Sequence, residues 1–356
     1  MFQLSPARGS APSIRNALLG ALALGLGAGT LSFLLYPLSH GADFAQFDYH
    51  ARIWLSGRDP YHGGFPIMRA TRVVPEPLFY PLPTLLAVAP FALLPLRLSA
   101  AAFIALSTAL LAYGLIQRSP DQLSLFLGAG FLVAAGLGQW SPLVCATFVL
   151  PPIAWLAVLK PNLGLATTVA KPAVLGAIGG ALLLIVSLAL QPNWPQEWLR
   201  NLHAMPAHPA PIFVPGGVLL LTALFRWRRP EARLVAAMAC VPQLLYFADQ
   251  LPLWLVPKTR RESMLLSATS LVAWTLALVT AGRGERQPAF SSMWFVMAGV
   301  YVPALVMVLR RPNEGPVPQW LERALMRVPA AVRGRASSGT AQVGDTSGAV
   351  EASGSR

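Results

Sequence analysis

Residues 16–61 read NALLGALALGLGAGTLSFLLYPLSHGADFAQFDYHARIWLSGRDPY. No Asp, Glu, Lys or Arg occurs from residue 16 to residue 42. About 20 mostly apolar residues suffice for a helix to cross the hydrocarbon core of a bilayer. The polarity then changes abruptly: Asp43, Asp48, Tyr49, His50, Arg52, Arg58, Asp59 and Tyr61 crowd the end of the apolar run. Phe44, Phe47, Ala51, Trp54 and Leu55 recur on one face at helical spacing, with Tyr49 and Arg52 elsewhere. That pattern predicts a helix over 43–57 lying in the membrane interface. Gly57 provides its stop and Arg58-Asp59-Pro60 a turn.

The same apolar character extends outward along the chain, which is 55% hydrophobic and 12% charged. Uncharged windows at 77–96, 98–117, 122–159, 172–196, 201–225, 234–248, 263–282 and 287–309 predict an all-α polytopic membrane protein of about ten transmembrane elements. A soluble core has no room for that much apolar surface, and the two-residue alternation of a membrane β-barrel is absent. Spans are expected near 16–38, 82–96, 99–116, 123–138, 142–159, 173–190, 212–225, 263–281 and 290–309. Basic clusters flank 234–257 on both sides, so this stretch is expected to form a hairpin with Asp249-Gln250 near its tip. Parity between 118 and 160 requires one broken or re-entrant element, covered by protein.

The net charge of +13 sits in short clusters beside apolar spans, at Arg226–Arg233, Lys258–Arg261 and Arg310-Arg311. Cytoplasmic loops carry such clusters, and no basic-aromatic groove points to nucleic acid. Segment 43–76 instead balances Arg52, Arg58, Arg69 and Arg72 against Asp43, Asp48, Asp59 and Glu76, as expected of an extracytoplasmic loop. Arg8 and Arg15 place the N-terminus in the cytoplasm. The first apolar run is longer than a signal-peptide core and Ser39-His40-Gly41-Ala42 is a poor cleavage site, so it is expected to be retained. Residues 1–333 read as one membrane domain and 334–356, rich in Ser, Gly, Ala and Arg, as a disordered cytoplasmic tail. Cys145 and Cys240 lack CxxC spacing and read as small core residues. Trp194 and Trp198 read as interfacial anchors.

No P-loop, dinucleotide-binding GxGxxG, HExxH, GxSxG or CxxC is present. His203 and His208, five apart in a proline-rich loop, have poor zinc-ligand spacing. Neither a cofactor nor a metal site is expected.

What remains is the acidic-aromatic cluster. Asp43-Phe-Ala-Gln-Phe, Ala51, Leu55-Ser-Gly57-Arg-Asp59-Pro60-Tyr61 resembles the corresponding region of glycosyltransferase family 87, multi-span enzymes of the GT-C fold also known as a domain of unknown function. Phe79-Tyr80-Pro81-Leu82-Pro83 is similar to that family's YPP segment, Gly138-Gln139-Trp140-Ser141-Pro142 to its GQ motif and Leu159-Lys160-Pro161 to its KP motif. The four matches follow the family's order over residues 43–161. Leu82 replaces the second proline, and the basic loop and extra span between the GQ and KP motifs are missing. The resemblance implies a GT-C-like bundle in the cell membrane. It also implies transfer of a sugar from a polyprenyl-phosphate donor to a glycan or glycolipid hydroxyl on the extracytoplasmic face.

That chemistry needs a carboxylate to take the acceptor proton, and Asp43 is expected in that role. A departing lipid phosphate needs cationic donors, for which Arg52, Lys160, Arg200 and His203 are candidates. Asp48 and Gln139 are further substrate-binding candidates, with Tyr61, Tyr80 and Trp140 as sugar-stacking surfaces. Blander readings stand beside these. Asp43 caps the interfacial helix, Asp48 and His50 lie on its solvated face, Lys160 marks a helix end, and Gln139 bonds helix to helix. Two other functions remain open. One is a transporter or lipid flippase with Asp249, Gln139 and Lys160 along a pathway. The other is a non-catalytic scaffold in envelope polysaccharide assembly.

Overall fold

A computed structural model of the chain describes residues 12–39, 42–69, 72–204, 208–281 and 292–315. The chain divides into a unit Met1–Glu314 and a second, Gly315–Arg356, of which only Gly315 is described. The tail expected over 334–356 lies outside the described residues. The described residues of the first unit are mostly helical. Three helices are long and apolar enough to cross a membrane: Ile14–Pro37 within α1 (Ile14–Ser39), α4 (Leu96–Arg118) and α11 (Arg260–Ala281). Two bent pairs raise the number to as many as five. Outward-facing Leu18, Leu22, Leu26, Leu182, Ile185 and Leu276 are exposed, as suits side chains that meet lipid tails rather than water.

The antiparallel pair α1 and α4 frames the molecule. A Cβ on Gly25 would meet the Ala105 carbonyl oxygen at 2.6 Å, and one on Gly29 that of Ala101 at 2.9 Å. Small residues one turn apart thus let the two backbones touch, the packing mode favoured where lipid removes the hydrophobic drive. Arg97 donates to the Phe33 carbonyl at 2.8 Å and marks one end of the pair. Arg118 marks the other.

Between these ends the chain is folded into short pieces. The 3-10 segment Pro120–Leu127 bends by 59° into α5 (Ala129–Leu137), the broken element that parity required. Residues 142–159, expected as one span, are instead a hairpin of α6 (Ser141–Val149) and the 3-10 segment Pro151–Leu159. Pro151 and Pro152 cannot donate to a continuing helix and split the run. After it comes α7 (Pro161–Ala170), then α8 (Val174–Leu190) and, turned 98° from it, α9 (Trp194–Ala204). A 3-10 segment Gly217–Arg226, α10 (Pro230–Cys240) and a 3-10 segment Phe247–Leu255 follow; the last two form a hairpin whose turn, at 241–246, comes before the Asp249-Gln250 tip expected, so that these two residues lie in its second segment. α12 (Met293–Leu309), with a π turn at Met297–Tyr301, is the last described helix. A nine-residue α-helix covers about 13 Å and a nine-residue 3-10 run about 18 Å, against about 30 Å of hydrocarbon. The tips at Gln139 and Lys160 therefore stop part-way through the bundle.

A cap covers those tips. It comprises α2 (Ala42–Leu55), a hairpin of β1 (Phe65–Arg69) and β2 (Arg72–Glu76), and the seven-residue α3 (Leu82–Val88). α2 matches the helix expected over 43–57 in extent, with Phe44, Phe47 and Ala51 fully buried, although Leu55 is exposed. The strands were not expected, and α3 is too short for the span read at 82–96. Pro90 and Pro95 limit the apolar run to one short helix and the 3-10 turn Phe91–Leu93. Asp48 and His50 are buried rather than solvated. Cys145 is buried as expected, whereas Cys240 is exposed.

Candidate functional site

Four segments far apart in sequence meet under the cap. Asp43 lies in the first turn of α2, where the partial positive charge of the helix start favours a carboxylate. Gly138 ends α5 at φ 70°, and a Cβ there would lie 2.5 Å from Phe44 Cβ. Only glycine lets the α5–α6 turn press this closely on α2. That approach brings the Gln139 amide to Asp43, to which it donates. The Gln139 carbonyl accepts from Lys160 Nζ at 3.0 Å, and Lys160 Nζ also donates to Asp249 Oδ1 at 2.5 Å. The Tyr80 hydroxyl is hydrogen-bonded to Lys160. The result is one chain, Asp43–Gln139–Lys160–Asp249, with Tyr80 beside its cation.

Each member is held from behind. Tyr61, buried itself, donates its hydroxyl to the Tyr80 carbonyl at 3.0 Å. Trp198 Nε1 and Asn201 Nδ2 on α9 donate to the carbonyls of Phe79 and Leu78 at 2.9 and 3.1 Å. Thr84 on α3 donates to the Leu159 carbonyl, fixing the approach to Lys160. Trp140 is enclosed by Phe103 and Phe47, with ring centroids 4.8 and 5.6 Å away. It is a packing residue here, not the sugar-stacking surface expected. Phe103 lies six residues beyond Arg97 on α4, so the Trp140 and Phe44 level is about 9 Å inside the Arg97 end.

Burial is the largest influence on Asp43 and pushes its carboxyl up to about 6; Asp249 and Glu76 add to this, while Lys160 and the Gln139 amide oppose it. A carboxylate so tuned is ionised at neutral pH yet basic enough to accept a proton. Burial also pushes the Tyr80 phenol up to about 12, leaving its hydroxyl a neutral donor. Asp43 as a residue is only partly buried.

The remaining expected residues lie elsewhere. Arg52 is paired with buried Asp48 at 2.6 and 3.2 Å and donates to the Leu94 carbonyl at 2.6 Å. Ser99 on α4 completes Asp48 at 2.9 Å. This group fastens α2 to the frame. Arg200 pairs with Glu197 at 2.6 Å, and His203 Nδ1 donates to the Leu199 carbonyl at 2.6 Å, both within α9. Trp194 is buried and stacks on Trp198 at 5.9 Å, so these tryptophans anchor α9 to protein. Asp249 was read from sequence only as a pathway residue. Its signal was being a lone acid between long apolar runs, which does not reveal its partner. Among the described residues no three His, Cys, Asp or Glu side chains group to hold a metal ion.

No protein-family model, curated protein or solved structure matches this chain.

Proposed function

We propose that this chain is a membrane glycosyltransferase that moves a sugar from a polyprenyl-phosphate donor to a hydroxyl of a glycan or glycolipid on the extracytoplasmic face of the cell membrane. The observation that carries the reading is the convergence of Asp43, Tyr80, Gln139 and Lys160, one from each of the four sequence motifs, in a single hydrogen-bonded chain. In this reading Asp43 takes the acceptor proton as the acceptor oxygen bonds to the anomeric carbon. The bond from that carbon to the phosphate oxygen breaks, with inversion, and the electron pair leaves on the lipid phosphate. Lys160, one glutamine away from the base, orients Gln139 and places positive charge beside the developing phosphate charge. A groove of about 300 Å³ beside the site, walled by Pro83, Phe91, Phe103, Leu106, Leu143 and Leu159, offers apolar surface for a prenyl tail. The test is Asp43→Asn in a membrane transfer assay with polyprenyl-phosphate hexose. Wild-type product formation by the folded variant rejects Asp43 as base.

One observation favours a second reading. The buried Lys160–Asp249 pair is the type of ion pair that marks transport pathways inside membranes. A transporter or flippase would move lipid-linked sugar across proteoliposomes without forming a glycosidic bond, so a product assay run with a flux assay separates the two.

A further inference from the structure

At the end of the bundle opposite Asp43, a groove of about 230 Å³ opens between α7, α8 and the 3-10 segment Pro151–Leu159. Most of its wall is apolar, formed by Ala154, Ala157, Val158, Ala177, Ala181 and Leu184. α8 forms one wall with Gly176 and Gly180, where added Cβ atoms would lie 2.8 and 2.9 Å from Ala154 and Val158. Thr147, Thr167, Thr168 and Lys171 line the same groove. Lys171 is exposed, and its ammonium donates to the Phe148 carbonyl at 3.1 Å. On the next carbonyl, that of Val149, sits the guanidinium of Arg118. The C-terminal carbonyls of α6 thus gather two cations, as helix C-termini favour, and an ammonium has three protons to give.

From this we infer that the groove is a binding site for an anionic glycerophospholipid, its phosphate on Lys171 and Arg118 and one acyl chain along α8. This does not rest on the glycosyltransferase reading, because none of these residues belongs to the Asp43 cluster. The chemistry excludes a bare phosphate as the natural occupant. Among the described residues Lys171 is the one cation in the lining, and a free anion would leave the apolar wall uncovered. A lipid satisfies both, since its chain replaces bulk lipid against Ala177 and Ala181 while its headgroup meets charge near the membrane surface.

The test uses the full chain in detergent, titrated with phosphatidylglycerol, phosphatidylcholine or inorganic phosphate and read by native mass spectrometry. Wild type is expected to retain phosphatidylglycerol over phosphatidylcholine, with inorganic phosphate failing to compete. Lys171→Gln is expected to weaken that binding about tenfold, the scale of one charge-assisted hydrogen bond, and Lys171→Arg to keep it. Ala177→Phe fills the groove without touching the cation and is expected to weaken it similarly, which tests the site even where Lys171→Gln does not fold. Equal retention of phosphatidylcholine, competition by inorganic phosphate, or unchanged binding in Ala177→Phe overturns the proposal.

Discussion

At the end of the bundle marked by Arg118, cations meet backbone. Arg226 and Arg229 donate to the carbonyls of Arg311 and Pro312, Arg233 to those of Ala170 and Trp227, and Arg311 to that of Val256. The acids there, Glu231 and Glu262, are bridged by Lys258 and Arg311 at 2.9 and 2.6 Å. Under the cap at the other end, Lys160 gives its protons to side chains: a carboxylate and an amide that itself holds a second carboxylate. The first arrangement satisfies the orphan carbonyls of helix ends and tolerates exposure. The second keeps charge inside the bundle, which is costly unless every partner is present. Cations at the first end therefore finish the fold, whereas the buried cation at the second is held by side chains inside the bundle.

The contrast can be broken by substitution. The largest expected effect is on the proposed transfer: Asp43→Asn is expected to lose about 100- to 10,000-fold, the scale of a general base, measured as product formed per folded protein. With Asp43 as the proposed base, the wild-type rate is expected to rise with pH through about 6, because only the ionised carboxylate accepts a proton. Lys160 holds that carboxyl down, so Lys160→Met moves the limb to higher pH. Next is stability. Lys160→Met strands Asp249 and is expected to cost about 3–5 kcal/mol, much of it recovered when Asp249→Leu is added, because removing both charges is close to neutral. Denaturant unfolding of the single and double variants measures this, and equal stability of the two rules out a coupled pair.

His50 sharpens the comparison through pH. Burial holds its imidazole down at about 4, against an ordinary value near 6.5. The folded state thus binds this proton less tightly than the unfolded one. Its contribution is complete above about 6.5 and is lost as pH falls toward about 4, amounting to about 3 kcal/mol. Unfolding at pH 7.5 and 5 shows this limb in wild type and a flatter one in His50→Gln. Gly138→Ala, at positive φ and against Phe44, is expected to cost about 1–3 kcal/mol and to lower transfer by moving Gln139 from Asp43. The smallest effect belongs to the basic end: Arg229→Gln, a half-buried cation on one carbonyl, is expected to change stability by less than about 1 kcal/mol.

Much of this architecture is legible in the sequence. The apolar runs announced α1, α4, α8 and α11, because a helix facing lipid writes its length in uninterrupted hydrophobic residues. The period of Phe44, Phe47 and Ala51 announced α2. Parity announced a broken element between 118 and 160, though not that Pro151-Pro152 would fold the chain back and return Lys160 to Gln139. Asp48 was read as exposed because a carboxylate on a short helix usually is. Its burial depends on Ser99 and Arg52, and Ser99 lies 51 residues away.

Taken alone, the order of residues determined that the chain is helical, apolar enough for a membrane and basic at one set of loops, with Asp43, Tyr80, Gln139 and Lys160 spread over more than a hundred residues. Only the tertiary structure decided that those four meet, that Asp249 is their fifth partner, and that Arg52, Arg200 and His203 serve other contacts. The physical reason is one of range. Hydrophobic length and period act within a segment and are written locally, whereas a hydrogen bond between Gln139 and Asp43 exists only once Gly138 lets two distant backbones touch.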